Sequence, residues 1–240
     1  MKLIDLFNLC NNRRDYTTVV PHDKEYEVDY KFIEDGETLY IFFEPSDGKT
    51  DWKVNFKYWR KPYKDMSVRY RVHGGFLDSW KLVDDAVGAK IAEVGANGDY
   101  KWRRVVIVGY SHGGALAALC HEFVWYNRAD LRANGLIGIS FDGPRIYGGF
   151  RVPKALRERW AHFYVFRNWN DIVTHLPPVA FFFRHVGKKI KIKSGERPGL
   201  IGAHYPDKIQ ASLIAFEEKG GVEYERILEL LGECVKNEKE

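Results

Sequence analysis

Hydrophobic and polar positions along the chain follow two periods, and their order sketches a fold. Near the start, Leu3, Leu6, Phe7 and Cys10 recur at the spacing of one helix face, predicting a short helix over residues 2–10. The period then changes to two. Residues 26–33 alternate, Glu34-Asp35-Gly36-Glu37 has turn chemistry, and residues 39–43 are almost wholly apolar. Together they predict a hairpin whose second strand lies deep in a sheet. A second alternating pair, Trp52, Val54, Phe56 and Tyr58 followed by Met66, Val68, Tyr70 and Val72, predicts another hairpin about a polar, Pro-containing turn at 60–65. Phe76, Trp80, Val83, Val87, Ile91 and Val94 then step by threes and fours, one apolar stripe along a single helix over 76–94. After a Gly- and Asn-containing break comes Val105-Val106-Ile107-Val108, a run apolar on both faces, as in a parallel strand covered on both sides. The Ala-rich stretch 115–119 reads as helix, 135–141 and 162–166 as strands, 153–160 as a short helix, and 180–185 with 188–193 as a hairpin. Tyr224, Ile227, Leu228, Leu231 and Val235 close the chain with an amphipathic helix. No repeat, linker or low-complexity tract interrupts this order. The expectation is one α/β domain over 1–240: a mostly parallel, doubly wound sheet with antiparallel hairpins at its N-terminal side.

Composition narrows the class without naming a function. The 240 residues suffice for a full core, and 37 basic against 33 acidic residues leave a net charge of +4, too balanced to imply nucleic acid. No apolar run reaches the ~18 residues of a membrane-spanning helix. Cys10, Cys120 and Cys234 are odd in number and scattered, with neither a disulfide framework nor metal-ligand spacing. Asp5 and Asn8 interrupt the apolar N-terminus and no small-residue cleavage site follows, so it makes a poor signal peptide. These features favour a reduced, cytoplasmic setting, with a secreted mature form left open, and imply neither a metal nor another cofactor.

Chemistry enters at Gly109-Tyr110-Ser111-His112-Gly113-Gly114. G-x-S-x-G between an apolar strand and an Ala-rich helix is the pattern of a nucleophile elbow, which exposes the serine Oγ on a sharp turn and aims helix N–H groups at a developing oxyanion. A Gly-rich structural turn is the plainer alternative; the context favours Ser111 as nucleophile. Such a serine needs a base, and the base an acid to orient it. His112 must diverge from Ser111 on the elbow, His121 lies on the following helix and His162 opens a strand, leaving His175, His185 and His204 as bases. Asp142 and Asp171 each follow an apolar strand at the carboxyl edge expected of the sheet, and the residues alone do not separate them.

Four blocks in order resemble the fungal-type (class 3) triacylglycerol lipases of the α/β-hydrolase superfamily: residues 71–80 (RVHGGFLDSW), the elbow, Gly143-Pro144-Arg145, and residues 168–178 (NWNDIVTHLPP). The resemblance implies Asp171 as the acid, His204 in Ala203-His204-Tyr205-Pro206 as the base, and a structural place for Asp142. It also implies an oxyanion hole from the N–H of His112 and from Ser46, with Pro45 departing from the usual glycine before it. The function implied is a serine carboxylester hydrolase, a lipase or esterase acting on acylglycerols or similar lipid esters through an acyl-enzyme. A phospholipase A1 or feruloyl-type esterase on the same scaffold, and a catalytically silent binding protein, are the alternatives. Leu176, Pro177, Pro178 and Phe181 follow the presumed acid and are candidate acyl-binding residues; core strand is the competing reading for 181–183. The period-two pattern at 52–58 replaces the amphipathic helix of a lid. The lysines of 188–193 read as the solvated face of an edge strand, with transient contact to an anionic lipid surface as the alternative.

Overall fold

The computed structural model describes residues 1–20, 27–44, 59–63, 69–195 and 197–233. Its first helix, α1 (Leu3–Asn11), buries the stripe Leu3, Leu6, Phe7 and Cys10. The strands β1 (Thr17–Val19), β2 (Val28–Asp35) and β3 (Thr38–Phe43) pair antiparallel in succession, β2 and β3 as the expected hairpin. Next come β4 (Arg60–Tyr63), β5 (Tyr70–His73), and the helices α2 (Gly74–Trp80) and α3 (Asp84–Ile91). The elbow joins β6 (Arg104–Tyr110) to α4 (His112–Asn127). The remainder comprises β7 (Leu136–Phe141), β8 (Tyr147–Gly148), α5 (Lys154–Arg157), β9 (Phe163–Asn168), β10 (Phe183–Arg184), β11 (Lys188–Ile192), α6 (Pro206–Lys219) and α7 (Val222–Leu231).

Among the described residues, seven strands form the main sheet in the order β1-β2-β3-β6-β7-β9-β11, parallel from β3 onward. The sheet is α/β and mostly parallel, with its antiparallel strands at the N-terminal side. Its two faces explain the unbroken apolar run of β6. Val105 and Ile107 pack toward α2, α3 and α4, while Val106, Val108 and Tyr110 pack toward α1, α6 and α7. Strand β3 divides in the same way, with Leu39, Ile41 and Phe43 on one face and Tyr40 and Phe42 on the other. A strand covered on both faces buries every side chain, so period two vanishes from its sequence. The elbow thus stands near the middle of the sheet, at its carboxyl edge.

Four expectations are corrected. Residues 60–63, read as a turn, are strand β4, which pairs with β5 through Tyr63 and Tyr70. Among the described residues β4 is the outer strand of a small second sheet, β10-β8-β5-β4, the place in a sheet where a proline's missing N–H breaks no interior ladder. The long helix 76–94 is two helices. Lys81, Leu82 and Val83 bond back to Leu77, Ser79 and Trp80 in a tightened turn, and the Lys81–Asp84 ion pair (2.8 Å) and the acidic pair Asp84-Asp85 open the second helix. The buried stripe survives through Ile91, but Val94 is exposed. The supposed hairpin 180–193 is divided between sheets: β10 pairs antiparallel with β8, and β11 pairs parallel with β9. Finally, α6 was not foreseen, although Pro206 at its first turn and Ile209, Leu213 and Phe216 at helical spacing carry the signal. The expected hairpin strand at 52–58 lies outside the described residues, as do Cys234 and Val235.

Candidate active site

The geometry begins with close backbone approach. A Cβ on Gly109 would come within 2.0 Å of the Gly113 carbonyl oxygen, and one on Gly113 within 2.2 Å of the Phe43 carbonyl oxygen. Only glycine allows β6, the head of α4 and the end of β3 to meet there. Between them Ser111 takes φ 55° and ψ −123°, a left-handed conformation rare for a side-chain-bearing residue. Its amide donates to the Phe141 carbonyl at 2.9 Å, tying the elbow to β7.

Around Ser111 the structure assembles three segments distant in sequence. His204 Nε2 lies 2.8 Å from Ser111 Oγ, and His204 Nδ1 lies 2.5 Å from Asp171 Oδ2. Asp171 is wholly buried, and its second oxygen accepts from the Val173 N–H at 2.9 Å. The His204 loop is held from two sides. Tyr110 donates its hydroxyl to the His204 carbonyl and places its ring 5.2 Å from the imidazole, while Asn168 Nδ2 donates to the Ala203 carbonyl at 2.7 Å. Sequence reasoning assigned neither clamp, although both residues sit inside quoted motifs.

The other histidines are elsewhere. The His175 ring meets Arg167, and His185 Nε2 lies 2.8 Å from the Thr174 carbonyl. His112 turns its ring onto Phe76, with centroids 5.5 Å apart, and burial pushes its pKa down to about 4. Its ring is therefore neutral at ordinary pH. Its backbone N–H opens α4, where first-turn amides have no intrahelical acceptor. Ser46, the other oxyanion candidate, lies outside the described residues.

Asp142 is the unexpected neighbour. It sits at φ 47°, 1 % exposed, with Oδ1 accepting from the Asn168 N–H at 2.5 Å. Burial first, and the Asp171 carboxylate beside it second, push its pKa well above the usual carboxylate range. Both causes favour the neutral form of Asp142. Asp142→Asn is isosteric with that neutral form and Asn tolerates positive φ, so kcat/KM of the ester hydrolysis proposed below should stay within about threefold of the parent. Asp142→Ala strands the Asn168 N–H and should lower stability by about 1–3 kcal/mol. Parallel kinetics and thermal melts check the pair; a large loss of activity in the Asn variant would mean that Asp142 works as an anion.

Asp142, Asp171 and His204 are also, among the described residues, the three potential metal donors that gather within 4.8 Å. A cation would compete for the atoms joining His204 to Asp171 and Asp142 to Asn168. Since burial favours the neutral form of Asp142, that residue adds little that would hold a hard divalent ion.

A cleft of about 340 Å³ opens over Ser111, walled on its apolar side by Phe76, Pro144, Val173, Leu176 and Pro177. Two of the four expected acyl-binding residues, Leu176 and Pro177, thus line it. Pro178 and Phe181 do not: after Pro177 the chain turns outward through a short helical turn at Val179–Phe181, leaving Phe181 54 % exposed. Phe183 is buried beside His73 as core strand. Asn11, Arg13 and Tyr205 complete the rim; the first two come from the chain's N-terminal segment, which no active-site motif marks. Arg145 braces the wall by donating to the carbonyls of His175 and Pro177, the latter at 2.9 Å.

The family model "Lipase (class 3)" matches residues 40–181, more than half of the chain and inclusive of Ser111 and Asp171. The chain belongs to the class 3 lipase family. Among relatives, the lipase of Rhizomucor miehei is 30% identical over 156 residues, covering 63% of this chain and 41% of that protein. The secreted mono- and diacylglycerol lipase 1 of Fusarium solani is 28% identical over 151 residues, covering 60% of this chain and 41% of that one. The solved structure of a triacylglycerol lipase whose catalytic centre is a serine-protease triad superposes with a TM-score of 0.58 at 26% identity, over 74% of this chain and 67% of that chain. The chain matches about two fifths of the length of these two relatives.

Proposed function

We propose that this class 3 lipase-family chain is a serine carboxylester hydrolase that cleaves acylglycerols or similar lipid esters through an acyl-enzyme on Ser111. The observation that carries the reading is the continuous hydrogen-bonded relay from Ser111 Oγ through His204 to the buried Asp171. His204 Nε2 takes the serine proton as Oγ attacks the ester carbonyl, and Asp171 fixes the tautomer with Nδ1–H toward itself and stabilises the imidazolium that forms. The N–H of His112, with Ser46 as its partner, stabilises the oxyanion. The imidazolium then protonates the leaving alcohol, and water, activated by the same nitrogen, releases the acid. A silent binding module needs no such alignment, so the relay weighs against that alternative.

The apolar wall of the cleft supports an acyl chain as the bound group. Exposed Val179, Phe181, Phe182, Leu200, Ile201 and Tyr205, in the segments that flank the cleft in sequence, suit transient contact with a lipid surface. No described helix is long and apolar enough to cross a membrane. The comparisons lend no support to a cytoplasmic setting; one relative is a secreted enzyme.

A panel of p-nitrophenyl esters of rising chain length, run beside a phospholipid and a feruloyl ester, tests the substrate class. The expected outcome is a kcat/KM that rises with acyl length and exceeds that for the phospholipid and the feruloyl ester by at least about tenfold, as apolar contacts accumulate. Preference for the phospholipid would move the reading to a phospholipase A1 using the same three residues.

A further inference from the structure

On the far side of the Asp171 loop lies a second cleft of about 370 Å³, lined by Arg167, Trp169, Asn170, His175, Lys189 and Lys191. Sheet register creates it. In the parallel pairing of β9 with β11, Arg167 stands opposite Lys191 and Val165 opposite Lys189. Side chains of paired residues leave the sheet on the same face and those two apart repeat it, so Arg167, Lys189 and Lys191 share one face. Val165 of that face packs into the core, while β11 is the edge strand, with Lys189 and Lys191 exposed.

Three cations side by side repel, and directly opposed like charges destabilise a sheet. On the opposite face the neighbouring Lys188 is met by Glu223 at 3.8 Å. Among the described residues, no carboxylate lines the cleft. The nearest acids to Arg167, Asp142 and Asp171, lie behind it and are engaged by Asn168 and His204. Arg167 Nη2 is 3.1 Å from His175 Nε2, and burial with the adjacent Arg167 pushes the His175 pKa down, so the ring stays neutral and accepts from the guanidinium. Arg167 Nε and Trp169 Nε1 are both buried N–H donors that meet no acceptor among the described residues. Trp169 is, in addition, held at φ 47°. A built cleft with surplus cations and two orphaned donors lacks an acceptor-rich anion. We propose that this cleft is a phosphate-binding site, in which the Arg167 guanidinium and the Trp169 indole N–H grip oxygens of a phosphate group and Lys189 and Lys191 neutralise its charge.

A planar guanidinium with two point charges suits phosphate, and the volume admits a phosphate monoester, either free or as an exposed lipid headgroup. The site is separate from the acyl cleft; the two share only the loop whose inner side carries Asp171. The experiment measures inorganic phosphate binding by calorimetry, and co-sedimentation with phosphatidylcholine vesicles with and without phosphatidic acid. The parent chain is compared with Lys189→Gln/Lys191→Gln, with Trp169→Phe and, as a charge control on the other face, with Lys188→Gln. Retained melting temperature and hydrolysis of a soluble ester verify folding of each variant.

Loss of at least about tenfold in phosphate affinity in the double variant, with a smaller loss in Trp169→Phe and none in Lys188→Gln, is expected. Phosphate binding alone identifies a free phosphate; binding only to vesicles containing phosphatidic acid, lost in the double variant, identifies the headgroup. Absence of both, or an equal loss in Lys188→Gln, overturns the proposal, the latter by reducing the effect to net charge.

Discussion

Ser111→Ala is expected to lower kcat/KM on a p-nitrophenyl ester by about 10⁴-fold or more and to abolish covalent labelling by a fluorophosphonate. The argument rests on where Oγ stands. It is the atom of Ser111 that His204 Nε2 reaches, at 2.8 Å, and it lies in the wall of the cleft. Removing it leaves the His112 N–H and the apolar wall in place, so weak residual hydrolysis is compatible with the proposed mechanism while labelling is not. Alanine keeps the Cβ, so the strained backbone at φ 55° is unchanged and the melting temperature should match the parent. Labelling that persists in this variant would remove Ser111 as nucleophile.

Asp171→Asn should cost about 10³- to 10⁴-fold in kcat/KM with little loss of stability. Asparagine keeps an oxygen for the Val173 N–H, now 2.9 Å from Oδ1, and can turn its amide toward His204. That amide donates to Nδ1, so the imidazole must carry its proton on Nε2, where it faces Ser111 Oγ and can no longer accept a proton from it. The fold loses nothing and the base is disabled. A pH–rate profile separates this from a packing defect: the variant's activity should recover at high pH, where the serine proton can leave to solvent base. A loss under about tenfold would show that Asp171 does not orient the base.

These two experiments bear on assignments of different origin. Ser111 could be read locally, because an elbow is a short-range object: an apolar strand, two glycines at positions without room for a Cβ, and a helix former, all within a dozen residues. Asp171 and His204 could not be read in that way. They lie 60 and 93 positions from the serine, and from the residues alone Asp142 was as good an acid and His175 or His185 as good a base. Resemblance to the lipase family chose between them, and the geometry now places the chosen pair in line with Ser111. That Asp142 lies next to Asp171 explains why the two were hard to tell apart: both end strands of one parallel sheet, and both project at its carboxyl edge. Their environments part them, since Asp142 meets one amide N–H and a second carboxylate, whereas Asp171 meets an amide and an imidazole.

What the sequence determined by itself was the local grammar: the buried runs of β3 and β6, the α1 stripe, the elbow and the hairpin of β2 and β3. The tertiary structure decided which strand lies beside which. Period two reports that a segment has two faces but not which partner covers them, so residues 180–193 looked like a hairpin until β10 and β11 were placed in different sheets. The same blindness hid the basic cleft. Lys189 and Lys191 resembled any solvated edge, and only their register against Arg167 shows three cations sharing one face. Hydrophobic pattern is set by neighbours along the chain, whereas charge partners and proton relays are set by neighbours in space, and these are known once the sheet is closed.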